Sequence, residues 1–196
     1  TPSVPLHWEH VPFSTADYLA TSAAAGITLA MAIAAPQTHH ARGGVLFDDA
    51  VRDTLRLKNA SARYVARDAS DVGLSLAATW PIFVDSLTTA WWYRGSREIA
   101  QEMALIDLEA LALAGAVQGV TNVSVSRERP YGRDCGGAVP SDTGDCDGTG
   151  RFRSFFSGHS AFSFTSAALI CSHHMELELL GSPYDALTCA TGYAVA

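Results

Sequence analysis

Long apolar segments alternate with short polar connections along this chain of 196 residues. The apolar segments are rich in Ala and Leu and show little of the alternation that marks strands, so they predict helices. The predicted helices cover residues 16–35, 72–93, 98–120 and 157–174, with a last one from Tyr184 onward. The pattern therefore predicts an all-α fold, a helical bundle.

Prolines and glycines divide this pattern. Pro36 is expected to stop the first helix, and Pro81 predicts either one kinked helix over 72–93 or two helices that meet near it. A short amphipathic helix is predicted where apolar residues recur at i, i+4 and i+8, namely Phe47, Val51 and Leu55. The tract 127–153 is dense in Gly, Asp and Pro and is predicted to be a loop.

The composition fits one globular domain over residues 1–196. Hydrophobic residues make up 48% of the chain and charged residues 17%, which is enough apolar material for one core. The net charge of -7 argues against nucleic-acid binding, because a phosphate backbone requires a clustered basic surface. The chain stops within an apolar helix, so the C-terminal part of the domain is expected to be missing.

Membrane embedding is one of two environments that the apolar segments allow. Uncharged stretches near 18–38, 110–126 and 154–175 approach the roughly 20 residues that cross a bilayer. The mean hydropathy is only +0.11, and Asp85 and Asp107 would be costly in lipid unless they face the bundle interior. A membrane-embedded bundle and a soluble exported bundle therefore both remain open.

The four cysteines lack the Cys-x-x-Cys spacing of zinc sites, so a metal site is not expected. Cys135 and Cys146 flank a polar loop and are predicted to form a disulfide, which would place that loop in an oxidising compartment. Two unpaired, exposed thiols are the alternative. Cys171 and Cys189 lie in apolar stretches and are predicted to be small core residues without chemistry.

Two clusters carry candidate chemistry, and the first contains Arg127 and Arg129. An arginine offers a planar fork of donors that matches two phosphate oxygens, and Pro130 restrains the backbone that aims Arg129. A surface charge cluster, with Glu128 as the partner of the arginines, is the alternative interpretation.

The second cluster is Ser157-Gly158-His159, at the predicted start of an apolar helix. Unpaired backbone N–H groups and the helix dipole favour an anion at such a start, and Gly158 permits its close approach. His159 is placed to donate a proton to a leaving oxygen. A capped helix start with a buried structural histidine is the alternative.

Taken together, the two clusters resemble the first two signature motifs of the type 2 phosphatidic acid phosphatase and vanadium-dependent haloperoxidase superfamily. The resemblance covers residues 122–160 and implies a helical bundle of that type. It implies that Arg129 binds phosphate and that His159 protonates the leaving group, with Ser157 and Gly158 beside them. Phe156 stands where the family motif has proline.

Two departures from the family pattern concern cations and the nucleophile. Asn122 occupies the place of a phosphate-binding lysine and offers only a neutral hydrogen bond, so Arg127 is a hypothetical substitute. The third motif, which carries the nucleophilic histidine, is absent from residues 1–196 and is expected beyond them. The pair His173 and His174 lacks the spacing of that motif and is predicted to be structural. The pairs His39/His40 and His7/His10 are expected on the surface.

The resemblance implies a phosphoester hydrolase that works outside the cytoplasm through a phosphohistidine intermediate, without a metal or other cofactor. Its substrate would be a lipid phosphate if the helices span a membrane, or a small phosphomonoester if they do not. A vanadate-dependent haloperoxidase is one alternative, because vanadate mimics phosphate. A catalytically inactive anion-binding or membrane module is another, and a histidine-rich metal-binding bundle a third.

Overall fold

The computed structural model describes residues 6–8, 12–36, 47–135, 146 and 148–196. This part of the chain contains helices and no strands, which confirms the predicted all-α class. The helices are α1 (Thr15–Ile33), α2 (Asp48–Leu55), α3 (Ala60–Trp80), a π-helix (Pro81–Tyr93), α4 (Arg97–Val125), α5 (Gly158–Leu177) and α6 (Tyr184–Val195). Two 3₁₀ turns, Pro130–Asp134 and Thr149–Phe152, lie between α4 and α5. His10, His39 and His40 lie outside the described residues, whereas His7 is exposed as predicted.

Pro81 changes the type of helix without ending it. The π-helix follows α3 directly, so of the two predicted alternatives the structure has two helices that meet at Pro81, the second of them a π-helix. Hydroxyl groups donate to the carbonyl five residues earlier, as Thr88 Oγ1 does to Phe83 at 2.7 Å and Thr89 Oγ1 to Val84 at 2.8 Å. Because Pro has no N–H, it is tolerated at the point where the hydrogen-bond pattern shifts.

The predicted amphipathic helix forms as α2, but its apolar stripe is not covered by the described residues. Phe47, Val51 and Leu55 are 67%, 43% and 74% exposed. Helix α3 begins twelve residues before the predicted start at 72. Its first residues are charged, so a search for apolar runs does not detect them as helix. Asn59 caps this start by accepting a hydrogen bond from Ser61 N at 2.8 Å.

Helix α4 is the centre of the bundle, since α1, the π-helix and α5 all pack against it. Glycines allow α1 to approach closely: a Cβ on Gly115 would lie 2.8 Å from Thr28 Oγ1, and one on Gly119 would lie 2.7 Å from Met31 Cβ. Thr28 also donates to the Ala112 carbonyl at 3.1 Å. The α1–α4 interface therefore depends on the absence of side chains at these two glycines.

A small apolar core lies at the opposite end of α4 from Asn122. It joins the first described residues to the π-helix, the start of α4 and the end of α5. Its buried members are Leu6, Ala90, Ala100, Met103, Leu177 and Leu179. Many large apolar side chains elsewhere, particularly on α1 and α6, are exposed.

All four cysteines are paired. The predicted disulfide Cys135–Cys146 is confirmed. The prediction that Cys171 and Cys189 are unpaired core residues is wrong, because they form a second disulfide between α5 and α6. These helices pack together after a short connection and bring the two Cα atoms to 4.2 Å. Two disulfides are typical of proteins in an oxidising compartment.

Within the described part of the chain, two helices are long and apolar enough to cross a membrane by length and composition alone. They are α1, with a mean hydropathy of 1.3, and α4, with 1.5. Only 6% of the residues in the α1 window are buried, against 28% in α4. The core helix of a soluble protein and a signal sequence meet the same criterion.

Candidate functional site

The two candidate motifs are joined by backbone hydrogen bonds across the loop that separates them. Arg129 N donates to the Arg151 carbonyl at 2.7 Å, and Ser154 N donates to the Arg127 carbonyl at 3.1 Å. The segment that carries the two arginines therefore runs beside the segment that leads into α5. This pairing brings motifs that are separate in sequence to the same end of the bundle.

The Arg129 side chain is exposed and oriented by the second motif. Its Nε donates to the Arg153 carbonyl at 3.1 Å. Arg153 in turn donates from Nη1 to the Met31 carbonyl at 2.8 Å and from Nη2 to the Ala34 carbonyl at the end of α1. Cations are favourable beside the last carbonyls of a helix, so Arg153 anchors this segment to α1.

The other charged residues of the first motif have partners within the protein. Arg127 forms an ion pair with Asp48 of α2. Glu128 is buried and pairs with Arg151, whose Nη2 is 2.6 Å from Glu128 Oε1. In the described contacts Glu128 pairs with neither Arg127 nor Arg129, so the alternative in which it is their partner is wrong. Gly132 leaves room for Glu128, since a Cβ there would lie 2.6 Å from its carboxylate.

Helix α4 holds the turn that precedes α5. The Phe156 carbonyl accepts from Gln118 Nε2 at 3.2 Å and from Asn122 Nδ2 at 3.1 Å. Asn122, which stands in the place of the family lysine, is buried and uses its amide N–H on this backbone. Gly158 lies directly against Gln118, since a Cβ added to this glycine would lie 3.4 Å from Gln118 Nε2.

Ser157 caps α5, as its position at the predicted helix start indicates. Its Oγ accepts a hydrogen bond from Ser160 N at 3.3 Å, and its carbonyl accepts from Ala161 N at 3.0 Å. The first backbone N–H groups of an α-helix have no carbonyl partner within the helix. The start of α5 therefore presents the N–H groups of Gly158 and His159, a few residues after the segment that pairs with the first motif.

His159 faces a carboxylate that the sequence patterns did not identify. Its Nε2 lies 2.9 Å from Oδ1 of Asp71, which belongs to α3. Both side chains are about half exposed, so the alternative of a buried structural histidine is wrong. A lone aspartate in a charged helical segment gives no signal of a partner 88 residues away.

His173 and His174 lie in the last turns of α5 and form a second, buried polar cluster. His173 Nδ1 is 3.5 Å from Asp85 Oδ2, and its Nε2 is 3.2 Å from Asp107 Oδ1. His174 Nδ1 is 2.6 Å from Asp185 Oδ1, and its Nε2 is 3.5 Å from Asp85 Oδ1. No cluster of three or more His, Cys, Asp or Glu among the described residues has a metal-binding arrangement.

The electrostatics of this cluster favour a charged histidine. Burial lowers the pKa of His173, but the nearby carboxylates of Asp107 and Asp85 outweigh burial and raise the pKa to about 9. The same balance with Asp85 and Asp185 raises the pKa of His174. The predicted structural role of the two histidines agrees with this placement, which joins α5 to the π-helix, α4 and α6.

Comparisons with protein-family models, with curated proteins and with solved structures found no match to this chain.

Proposed function

We propose that this chain supplies the phosphate-binding and leaving-group-protonating parts of a metal-independent phosphoester hydrolase. The pairing of the Arg129 segment with residues 151–154, which lead into α5, supports this proposal most directly, because it brings together the two segments that carry the motifs of the resemblance. The two disulfides support an active site outside the cytoplasm.

Phosphate binding in this proposal rests on charge and on backbone donors. Arg129 offers charge-assisted hydrogen bonds to phosphate oxygens, and the N–H groups at the start of α5 add donors at the positive end of the helix dipole. Such groups also stabilise the charge that develops on a transferring phosphoryl group. Arg127 is the second proposed phosphate-binding cation, although its ion pair with Asp48 partly neutralises its charge.

His159 is the proposed general acid. The Asp71 carboxylate holds the ring through Nε2, so Nδ1 is the nitrogen assigned to the leaving oxygen. Proton donation stabilises an alkoxide as the phosphorus–oxygen bond breaks. Asp71 therefore orients a group that acts on the substrate, as the third member of a nucleophile-base array does in other enzymes.

The nucleophile of this proposal lies outside residues 1–196. The resemblance assigns the attack on phosphorus to a histidine of the third motif, and neither His173 nor His174 has its spacing. Both histidines are also buried among aspartates, away from the start of α5. The proposed roles within residues 1–196 are therefore binding and protonation.

The test of the proposal is hydrolysis of a phosphomonoester by the native protein in EDTA. Arg129→Gln should raise KM and lower kcat/KM by about 10- to 100-fold, since a charged hydrogen bond contributes about 1.5–3 kcal/mol. Arg127→Gln should weaken phosphate binding less. Arg97→Gln is the matched control, because Arg97 is exposed at the opposite end of α4. Absence of hydrolysis, or equal activity in all variants, would contradict the proposal.

One observation favours an inactive anion-binding module as the second candidate. The amide of Asn122 is used to hold the Phe156 carbonyl, so the place of the family lysine supplies no cation. In that case inorganic phosphate binds and Arg129→Gln weakens its binding, but the native protein turns over no phosphoester.

A further inference from the structure

A cavity of about 320 Å³ lies between α3, α5 and α6. Each helix contributes positions spaced i, i+3, i+4 and i+7, which form one face of a helix. The first and last of these positions are Gly73 and Trp80 on α3, Ser163 and Ile170 on α5, and Thr188 and Val195 on α6. Almost all of the lining surface is apolar.

Small side chains keep this cavity open. A Cβ on Gly73 would have no atom within 4 Å, and one on Gly192 would make only ordinary contacts with Ala167 and Ile170. Large residues at these positions would occupy the space. The cavity lies within the range of about 300–1,000 Å³ that is usual for small-molecule sites, at its lower end.

The cavity begins next to the candidate general acid. Asp71 lies two residues before Gly73 on α3, and His159 lies one helical turn before Ser163 on α5. From there the lining runs to Trp80 and Ile170, seven residues further along each helix and therefore about 10 Å. A leaving group whose oxygen is protonated by His159 therefore lies within one helical turn of the cavity lining on α5.

We infer that the cavity holds the leaving group of the substrate, and that this group is one short apolar chain. The substrate class is a phosphomonoester of a single-chain alkyl alcohol, with phosphate at the start of α5 and the chain between α3 and α5. The volume and length suit one chain. This inference rests on the proposed function for the orientation of the phosphate.

The reaction in this assignment balances without a further reagent. The bond between phosphorus and the alkyl oxygen breaks, the alkyl oxygen takes the proton of His159, and the phosphoryl group passes to the nucleophile and then to water. The products are a single-chain alcohol and inorganic phosphate. The alcohol leaves from the apolar cavity.

Binding tests the cavity separately from catalysis. Ethyl, butyl, hexyl and octyl phosphates are titrated calorimetrically into the native protein, with octanol as a ligand that lacks phosphate. Affinity should rise by up to about fourfold per methylene until the chain exceeds the cavity length. Octanol should bind, and a two-chain phosphatidate should bind no better than butyl phosphate. Affinity independent of chain length would overturn the inference.

Gly73→Leu fills the cavity, whereas Gly26→Leu is the matched control. Both glycines are exposed within α-helices and have open space around an added Cβ, but Gly26 lies on α1, away from the cavity. Gly73→Leu should abolish the dependence of affinity on chain length, and Gly26→Leu should retain it. If Gly73→Leu leaves the octyl phosphate affinity unchanged, the cavity is not the chain site.

The two proposals fail in different ways. If the protein hydrolyses p-nitrophenyl phosphate but its affinity for alkyl phosphates does not depend on chain length, the inference is wrong and the proposed function stands. If octanol and octyl phosphate bind, Gly73→Leu prevents this binding, and no phosphoester is hydrolysed, the proposed function is wrong and the apolar chain site stands. If octanol does not bind and Gly73→Leu lowers the thermal stability, another part of the protein fills the cavity and the inference is wrong.

Discussion

Asp71 and His159 form a solvent-exposed contact at the centre of the proposed reaction. Their side chains are 58% and 47% exposed, so solvent screens the pair and its contribution to folding is at most about 1 kcal/mol. In the proposed reaction, the same contact fixes which ring nitrogen of His159 is available to the substrate. Loss of Asp71 is therefore expected to affect turnover more than stability.

Asp71→Asn should lower kcat for an alkyl phosphate by up to about 10²-fold, the lower end of a general acid's contribution. Its melting temperature should change little, because the pair is exposed. Asp68→Asn is the control, since Asp68 lies on the same helix, is exposed and contacts Arg67 at 3.4 Å. Steady-state kinetics and thermal unfolding of both variants decide the matter; an equal kcat in the two would refute the role of Asp71.

At the scale of elements, the contact between α1 and α4 is set by two glycines on α4. Gly115 and Gly119 allow Thr28 and Met31 to reach the α4 backbone. This contact also places the end of α1, whose carbonyls bind Arg153 beside the candidate site. A change in helix spacing would therefore move a residue that orients Arg129.

Gly115→Ala should destabilise the protein by about 1–3 kcal/mol, because the added Cβ would overpack against the branched Thr28 side chain. Gly26→Ala, at an open position within α1, should instead stabilise its helix by up to about 1 kcal/mol. Chemical unfolding measures both changes. A Gly115→Ala variant as stable as Gly26→Ala would show that the α1–α4 spacing can relax without cost.

The elements were more predictable than the contacts between them. Runs of Ala and Leu indicate α4 and α5, and a serine before Gly158 indicates the α5 cap. The first half of α3, which carries Asp71, was not predicted as helix because it is charged and has no apolar run. The Cys171–Cys189 disulfide was not predicted because a sequence does not show which faces of α5 and α6 pack together.

At the scale of the whole molecule, the buried histidine cluster joins four helices through charge. Asp85 comes from the π-helix, Asp107 from α4 and Asp185 from α6, and all contact the histidines of α5. Burial raises the pKa of Asp107 in opposition to the effect of His173. Since carboxylates without a cation are costly in a protein interior, the fold depends on the proton that His173 holds.

Stability should therefore fall at alkaline pH. The pKa of His173 rises from 6.5 to about 9 on folding, so its contribution is complete below pH 6.5 and is lost as the pH rises through about 9. The loss is on the order of 3 kcal/mol. The unfolding free energy of the native protein and of His173→Gln, measured across this range, tests the claim. A profile as flat in the native protein as in the variant would contradict it.

Protonation of the leaving group of a phosphomonoester by His159 would make the rate depend on the basicity of the leaving oxygen. Native protein and His159→Gln are compared on an alkyl phosphate, whose leaving oxygen needs a proton, and on p-nitrophenyl phosphate, whose leaving oxygen does not. We expect the substitution to lower the rate by about 10²–10⁴-fold on the alkyl phosphate and by much less on p-nitrophenyl phosphate. An equal loss on both substrates, or none on either, would contradict it.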